Sequence, residues 1–488
     1  MSAAAELLPV HNGRASEASR LPDLSPEALA AALESAPGLG WRVASLFGVP
    51  EEGRVRLVAL LAQDEEGQLA AGSVGVEGNA FPSMTPRCPE VHLFEREIFE
   101  QRGVRPEGHP WLKPVRNIRG VDYFRVEGEE VHEVAVGPVH AGVIEPGHFR
   151  FQCHGEQVMS LEIALGYQHR GVERALVGGP DKRTIHLMET LAGDTTVGHA
   201  TAYCQVLEGL AGCRPPARAQ ALRAVALELE RLANHAGDLG ALAGDVGFLP
   251  TAAFCGRLRG DFLNLTALLC GSRFGRGMVR PGGVGFDVDA ARVAEMRRRL
   301  EAAARDVEGA AGLLWTTASV QARFEETGAV AESVARELGL VGVAARACGL
   351  RRDARKNHPS GIYQFAHIPI STWPTGDVFA RAYVRWMEIQ RSVAFISEQL
   401  SQLPAGAVRA KCGEPRPGRM CASLVEGWRG EICHVALTDE RGKLRAYKVV
   451  DPSFHNWSGL AMALRDQQIS DFPLCNKSFN LSYCGFDL

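Results

Sequence analysis

The sequence predicts a small α+β domain at the N-terminus followed by a mainly helical domain with short β segments. Three observations predict it. The 488 residues are more than one core of ordinary size organises. Apolar residues alternate with a period of two between residues 41 and 76, as in half-buried strands. From about residue 150 the period lengthens to about 3.6, over stretches long enough for a helical bundle. With 46% hydrophobic and 23% charged residues the composition is that of a globular protein, so neither disorder nor a fibrous repeat competes with this reading.

Taken in order, residues 1–23 are polar and read as a flexible tail. Charged residues interrupt the first twenty, so no secretory apolar segment is expected there and the chain is expected to stay in the cytoplasm. Ser25-Pro26-Glu27 opens a helix running to Leu33, with serine as N-cap and proline in the first turn. Residues 41–47, 55–61 and 68–76 are rich in Val, Leu or aromatics, are separated by turn residues, and read as strands. Together these elements make an α+β unit over residues 24–117. Residues 118–136 read as a hairpin-like connector into the second domain, residues 118–488. There residues 217–242, 290–314 and 378–402 carry apolar side chains at i, i+3, i+4 and i+7 and read as amphipathic helices. Short strands are expected at 432–437 and 444–450, followed by an irregular tail.

Several function classes fall away at this level. Lys and Arg total 53 against 57 Asp and Glu, a net charge of -4, so there is no basic footprint for nucleic acid. Twelve cysteines are present, none spaced C-x-x-C, and they read as reduced thiols rather than a disulfide framework. No run of roughly 18 apolar residues offers a spanning helix. The glycine-rich stretch from Gly271 to Gly277 neither follows a clear strand nor matches G-x-G-x-x-G, so dinucleotide binding is not expected.

Motifs carry the rest. Glu95, Arg96, Glu97 and Glu100 make a charged helical turn whose plainest reading is a solvated face with i,i+4 pairs. With Gly108-His109-Pro110 behind it, however, the phrase resembles the small peripheral-arm subunit shared by respiratory complex I and membrane-bound hydrogenases, which implies a docking domain without a cofactor. Further on come Gly137-Pro138-Val139-His140, Glu145-Pro146-Gly147-His148, His169-Arg170-Gly171-Val172-Glu173, Glu228 to His235, Arg280-Pro281-Gly282-Gly283 and Asp353-Ala354-Arg355-Lys356. Taken alone, such histidines and acids serve equally as ligands, proton carriers or caps. Their order resembles the large subunit of membrane-bound nickel-iron hydrogenases, and equally the homologous quinone-site subunit of complex I, over residues 131–488.

The resemblance implies a nickel-iron centre held by two C-x-x-C pairs, because nickel wants soft thiolates. Here the first pair is replaced by Ala192 and Thr195 and the second by Ser482 and Gly485, with Cys484 one position out of register. A nickel-iron centre is therefore expected to be absent, and no cofactor is expected in this chain. In complex I the position of Gly193 carries a tyrosine that contacts quinone; glycine offers only its backbone N–H. The closest resemblance is to energy-converting-hydrogenase-related (group 4 hydrogenase-like) large subunits that lack the nickel ligands. It implies Glu173 as a proton-relaying acid, Arg429 as the arginine poised over the metal position, and His199, Asp194 and Thr195 as further cavity residues. His140 and His148 belong to a cofactor-facing loop, and Asp194 is also a candidate for a hard cation. Two arrangements stand open for the acid: a proton-accessible cavity, or a retained ion pair of Glu173 with Arg429 or His199.

The implied setting is the cytoplasmic face of the bacterial inner membrane, peripheral. There the chain would sit beside an iron-sulfur partner resembling the hydrogenase small subunit, which carries the cluster, and be attached through antiporter-like membrane subunits. The implied function is to accept electrons from that partner and couple redox to proton or ion translocation. The alternative is a catalytically silent structural or coupling subunit. A quinone site of the NADH-quinone oxidoreductase type and a true hydrogenase stand third.

Overall fold

The computed structural model describes residues 7–117, 122–140 and 144–488. Three expectations fall partly outside these residues: the start of the tail (1–6), the start of the connector (118–121) and part of the loop between His140 and His148 (141–143).

The N-terminal unit is built on three long antiparallel strands, Trp41–Glu51, Arg54–Gln63 and Gln68–Glu77, in register from Trp41 opposite Gln63 and from Arg54 opposite Glu77. Successive residues of these strands are buried over most of their length, so both faces are covered, and the helices Pro26–Ser35 and His92–Arg102 pack on the sheet. The first helix starts as its sequence requires: the Ser25 hydroxyl accepts a hydrogen bond from the Ala28 N–H at 3.1 Å.

The expected tail is not one over residues 7–23. Leu8–Val10 adds to the edge strand Gln68–Glu77, and Asp23–Leu24 pairs parallel to that strand. Ala15–Glu17 joins a different sheet, beside Arg419–Glu426 in the C-terminal half. The reason is burial: Leu7, Leu8, Val10 and Leu21 are isolated in a polar sequence, yet each is buried against a sheet. This segment therefore ties the two halves of the chain together.

The second half is a helical body carrying a C-terminal sheet. Ala217–Asp245 packs against Leu249–Cys270 and Val378–Ser401, with Ala290–Thr316 outside them. The helix Thr196–Ala211 lies against the antiparallel sheet of Arg419–Glu426, Glu431–Thr438 and Leu444–Val450. The expected irregular ending is instead three short helices, Pro452–Ala463, Phe472–Phe479 and Tyr483–Phe486. They are too short and too apolar for a clean amphipathic period, and tertiary burial of Phe454, Trp457, Leu460 and Phe486 holds them. Among the described residues no helix is long and apolar enough to cross a membrane.

The two halves share one apolar core, with Phe94 of the small unit 5.0 Å from Phe454 of the large one. Charges cross the same boundary. The turn Glu95 to Glu100 is not a solvated face: Glu95 and Glu97 are fully buried. Glu95 accepts bonds from Ser83, Thr85 and the Met84 N–H, whereas Glu97 bridges Arg116 and Lys448, the latter on a strand of the large domain. A buried acid here welds the domains because both of its partners are buried with it.

Candidate functional site

The sequence places a loop ending at Thr195 directly before the helix Thr196–Ala211, and the chain end at 480–487 folds back onto it. Between them comes the turn linking Arg419–Glu426 to Glu431–Thr438, which carries Trp428 and Arg429. That turn is possible because Gly430 adopts φ 148°, and a Cβ there would lie 2.8 Å from the Cα of Gly342.

Arg429 and Asp194 form the centre. The guanidinium donates from Nη1 and Nη2 to the two carboxylate oxygens at 2.6 and 2.8 Å, and from Nε to the Asn480 carbonyl. It also sits 4.0 Å over the Trp428 ring. Trp428 Nε1 donates to the Asp194 carbonyl and the Thr195 hydroxyl, and Asn234 donates to the same carbonyl. Burial pushes the Asp194 carboxyl up, but the charge and hydrogen bonds of Arg429 outweigh it and the group sits below its ordinary value. The same partner holds Arg429 above its ordinary value despite burial. Asp194 is thus neutralised by a bidentate partner and is not an available ligand for a hard cation, which corrects that expectation.

Two further acids adjoin the pair. Glu230 accepts the N–H groups of Val197 and Gly198 at 2.7 and 3.1 Å, so its carboxyl closes the N-terminus of the helix after Thr195. Burial drives its pKa up to about 8, those two N–H groups pulling against it and neighbouring Asp194 adding to it. A cleft of about 10 Å3, the scale of a single water, touches Glu230, Asp194 and Asn234. Asp238 accepts from Arg385 and Asn480 on the other flank.

His199 does belong here, deeper in. Its Nε2 lies 3.0 Å from Asp451 Oδ2 and its Nδ1 3.1 Å from His434 Nε2, while His434 Nδ1 lies 2.8 Å from the Tyr447 hydroxyl. All four are buried. Burial and the charge of His199 hold His434 well below its ordinary value. Asp451 also caps the helix Pro452–Ala463 through the Ser453 N–H. The Ser453 hydroxyl accepts the Ser482 N–H, and the Ser482 hydroxyl accepts the Gly485 N–H.

The four positions at which the resemblance puts thiolates therefore carry a methyl group (Ala192), a hydroxyl bonded to Asp194 (Thr195), a hydroxyl bonded to Gly485 (Ser482) and no side chain (Gly485). A Cβ at Gly485 would stand 2.7 Å from the Asp451 carboxyl carbon. This is not the soft donor set that nickel needs, and the space for the fourth ligand is filled by a carboxylate. Cys484, beside Ser482 at 3.4 Å, has a thiol pushed up to about 11 by burial.

Glu173 does not join this cluster, and neither expected ion pair forms. Its carboxylate takes Lys448 Nζ at 2.9 Å, the Val449 N–H at 3.0 Å and the Gln101 amide at 3.2 Å. It belongs to the buried seam with Glu97 and Arg116, because the helix Val172–Leu176 packs on the strand Leu444–Val450 rather than on the arginine turn. His140 and His148 have ring nitrogens engaged by the carbonyls of Gly147 and Gly137. Their loop reaches the chain end, where Glu145 accepts the Tyr483 N–H.

Sequence reasoning missed Glu230, Trp428, Asp451 and His434 as parts of the site. Glu230 lies inside the Glu228 to His235 motif and Trp428 beside Arg429, and Asp451 before Pro452 reads as a helix cap, but none of these signals says that the residue meets Asp194 or His199.

The fused small α+β domain, helical body and C-terminal sheet folded over this cluster fit the class of a large-subunit-like protein of hydrogenase and complex I type. A family model of the respiratory-chain NADH dehydrogenase 30 kDa subunit matches residues 24–124, and one of its 49 kDa subunit matches residues 245–416. The carbon monoxide-induced hydrogenase of Rhodospirillum rubrum is 30% identical over 72% of this chain and 97% of its own length. Formate hydrogenlyase subunit 5 of Escherichia coli K12 is 28% identical over 92% of this chain and 85% of its own length. The membrane-bound hydrogenase subunit alpha of Pyrococcus furiosus is 26% identical over 71% and 85%. The chain belongs to the family that unites hydrogenase large subunits with the 49 kDa subunit of respiratory-chain NADH dehydrogenase, and it carries a 30 kDa-subunit domain fused ahead of that part.

Proposed function

We propose that this chain is the electron-receiving subunit of a membrane-bound, complex I-like oxidoreductase complex related to hydrogenases. In this reading it lies on the cytoplasmic face, beside an iron-sulfur partner and above antiporter-like membrane subunits, and couples redox to proton or ion translocation without a family-type nickel-iron centre. The observation that carries the reading is the Arg429–Asp194 pair, which closes the position where the family would hold metal, with no thiolate at any of the four ligand positions. The names of the relatives support the setting: one is a subunit of formate hydrogenlyase and another a subunit of a membrane-bound hydrogenase. Two buried acids beside the pair, Glu230 and the Arg346-paired Glu426, have pKa values raised by burial. Glu230, at about 8, stands against Asp194, and Glu426, raised by burial to about 7, lies at the foot of the same turn.

The complete neutralisation of Asp194 by Arg429 favours a second reading, a catalytically silent coupling subunit. Two measurements on the purified complex decide. Metal analysis is expected to find no nickel attributable to this chain, and stoichiometric nickel overturns the proposal. The double variant Asp194→Asn with Arg429→Gln removes both charges; loss of redox-driven ion movement supports the coupling role, and unchanged activity leaves the silent role.

A further inference from the structure

A cavity of about 560 Å3 opens away from the arginine turn, between the end of the helix Thr196–Ala211, the start of Ala217–Asp245 and the turn Gly361–Gln364, with the segment from Asn12 to Ala15 as a wall. Its lining is strongly cationic, five arginines against Glu208 and Glu426. Two of the arginines are spent. Arg223 binds Glu208 and the carbonyls of Arg280 and Gly283, and Arg355 binds Asp353 and Glu228. Both acids are spent as well, since Arg346 takes Glu426 at 2.7 Å. That leaves Arg14, Arg214 and Arg416, all exposed, whose side chains make no hydrogen bond or ion pair with a described residue. Three guanidiniums without an acid partner among the described residues line one mouth, where an anion finds donors free.

The volume is that of a small-molecule site, larger than a bare anion requires. Leu227, Ile362 and Tyr363 supply an apolar side.

We infer that this cavity binds a phosphorylated small molecule of nucleotide size, with Arg14, Arg214 and Arg416 on the phosphates and the apolar side of Leu227, Ile362 and Tyr363 against the rest of the molecule. Planar guanidinium forks suit phosphate oxygens in this role. The site stands independently of the reading given for Arg429.

Calorimetric titration of the full chain with ADP, inorganic pyrophosphate and succinate tests it. Saturable one-to-one binding of ADP and pyrophosphate is expected, weakened at least tenfold in Arg214→Gln with Arg416→Gln, whose exposed positions leave the fold intact. Removing Arg297, Arg298 and Arg299, exposed on the helix Ala290–Thr316, is expected to change neither. Absence of saturable binding overturns the inference and leaves the arginines as a surface for an acidic partner. Succinate binding as tightly as pyrophosphate, or equal weakening in the control triple variant, overturns it too.

Discussion

Removing the Arg429 guanidinium leaves the Asp194 carboxylate facing Glu230 and Asp451 with no cation in contact. Breaking a buried pair by deleting one partner costs about 3–5 kcal/mol. The Asp194 side chain is 34% exposed, so water recovers part of that, and about 2–3 kcal/mol remains. Loss of the stack over Trp428 adds about 1 kcal/mol. Arg429→Ala is therefore expected to destabilise by about 3–4 kcal/mol and Asp194→Asn, which leaves Arg429 its bonds to Asn480 and Thr195, by about 2 kcal/mol. If the two act mainly through each other, the double variant costs little more than Arg429→Ala alone, a coupling of roughly 2 kcal/mol. Equilibrium urea unfolding of the four proteins at one salt concentration measures it. Additivity within about 0.5 kcal/mol would refute the argument that this pair organises the site.

Four other outcomes follow from the same geometry. The folded Glu230 carboxyl titrates near 8 against an ordinary 4.5, so the folded protein takes up a proton that the unfolded chain does not. Its contribution is full below pH 4.5, is lost as pH rises to about 8, and is flat above; Glu230→Gln should match wild type at pH 5 and exceed it at pH 9 by up to roughly 5 kcal/mol in urea unfolding. Gly485→Ala should cost about 1–3 kcal/mol because its methyl meets the Asp451 carboxyl, and a neutral result would place that carboxyl elsewhere. Glu97→Ala strips Lys448 and Arg116 of a shared buried partner and should cost about 3–5 kcal/mol, with limited proteolysis releasing the small domain first. Glu173→Gln, still hydrogen-bonded in that seam, should behave as a milder version of the same change rather than as a loss of a cavity acid.

The strands of the small unit and the long helices were legible because each carries apolar residues over many consecutive turns or pleats, so an extended apolar pattern survives in the sequence. Residues 8–10, 15–17 and 452–486 were not, since each contributes a few apolar side chains to a surface made by distant parts of the chain. The site divides in the same way. Position-by-position comparison marked Asp194, Thr195, Arg429 and His199, but pairing is a matter of space. Nothing in the spacing of Glu173 says that Lys448 rather than Arg429 lies opposite it, or that Glu230 closes the helix after Thr195.

By itself the sequence determined the long strands and helices, the class of protein and the absence of thiolates from Ala192, Thr195, Ser482 and Gly485, because these depend on residue type along the chain. Only the tertiary structure decided which charges meet. Coulomb energy and desolvation depend on distances between segments hundreds of residues apart, and those distances placed Arg429 on Asp194, Asp451 against Gly485, and Glu173 in the seam between the domains.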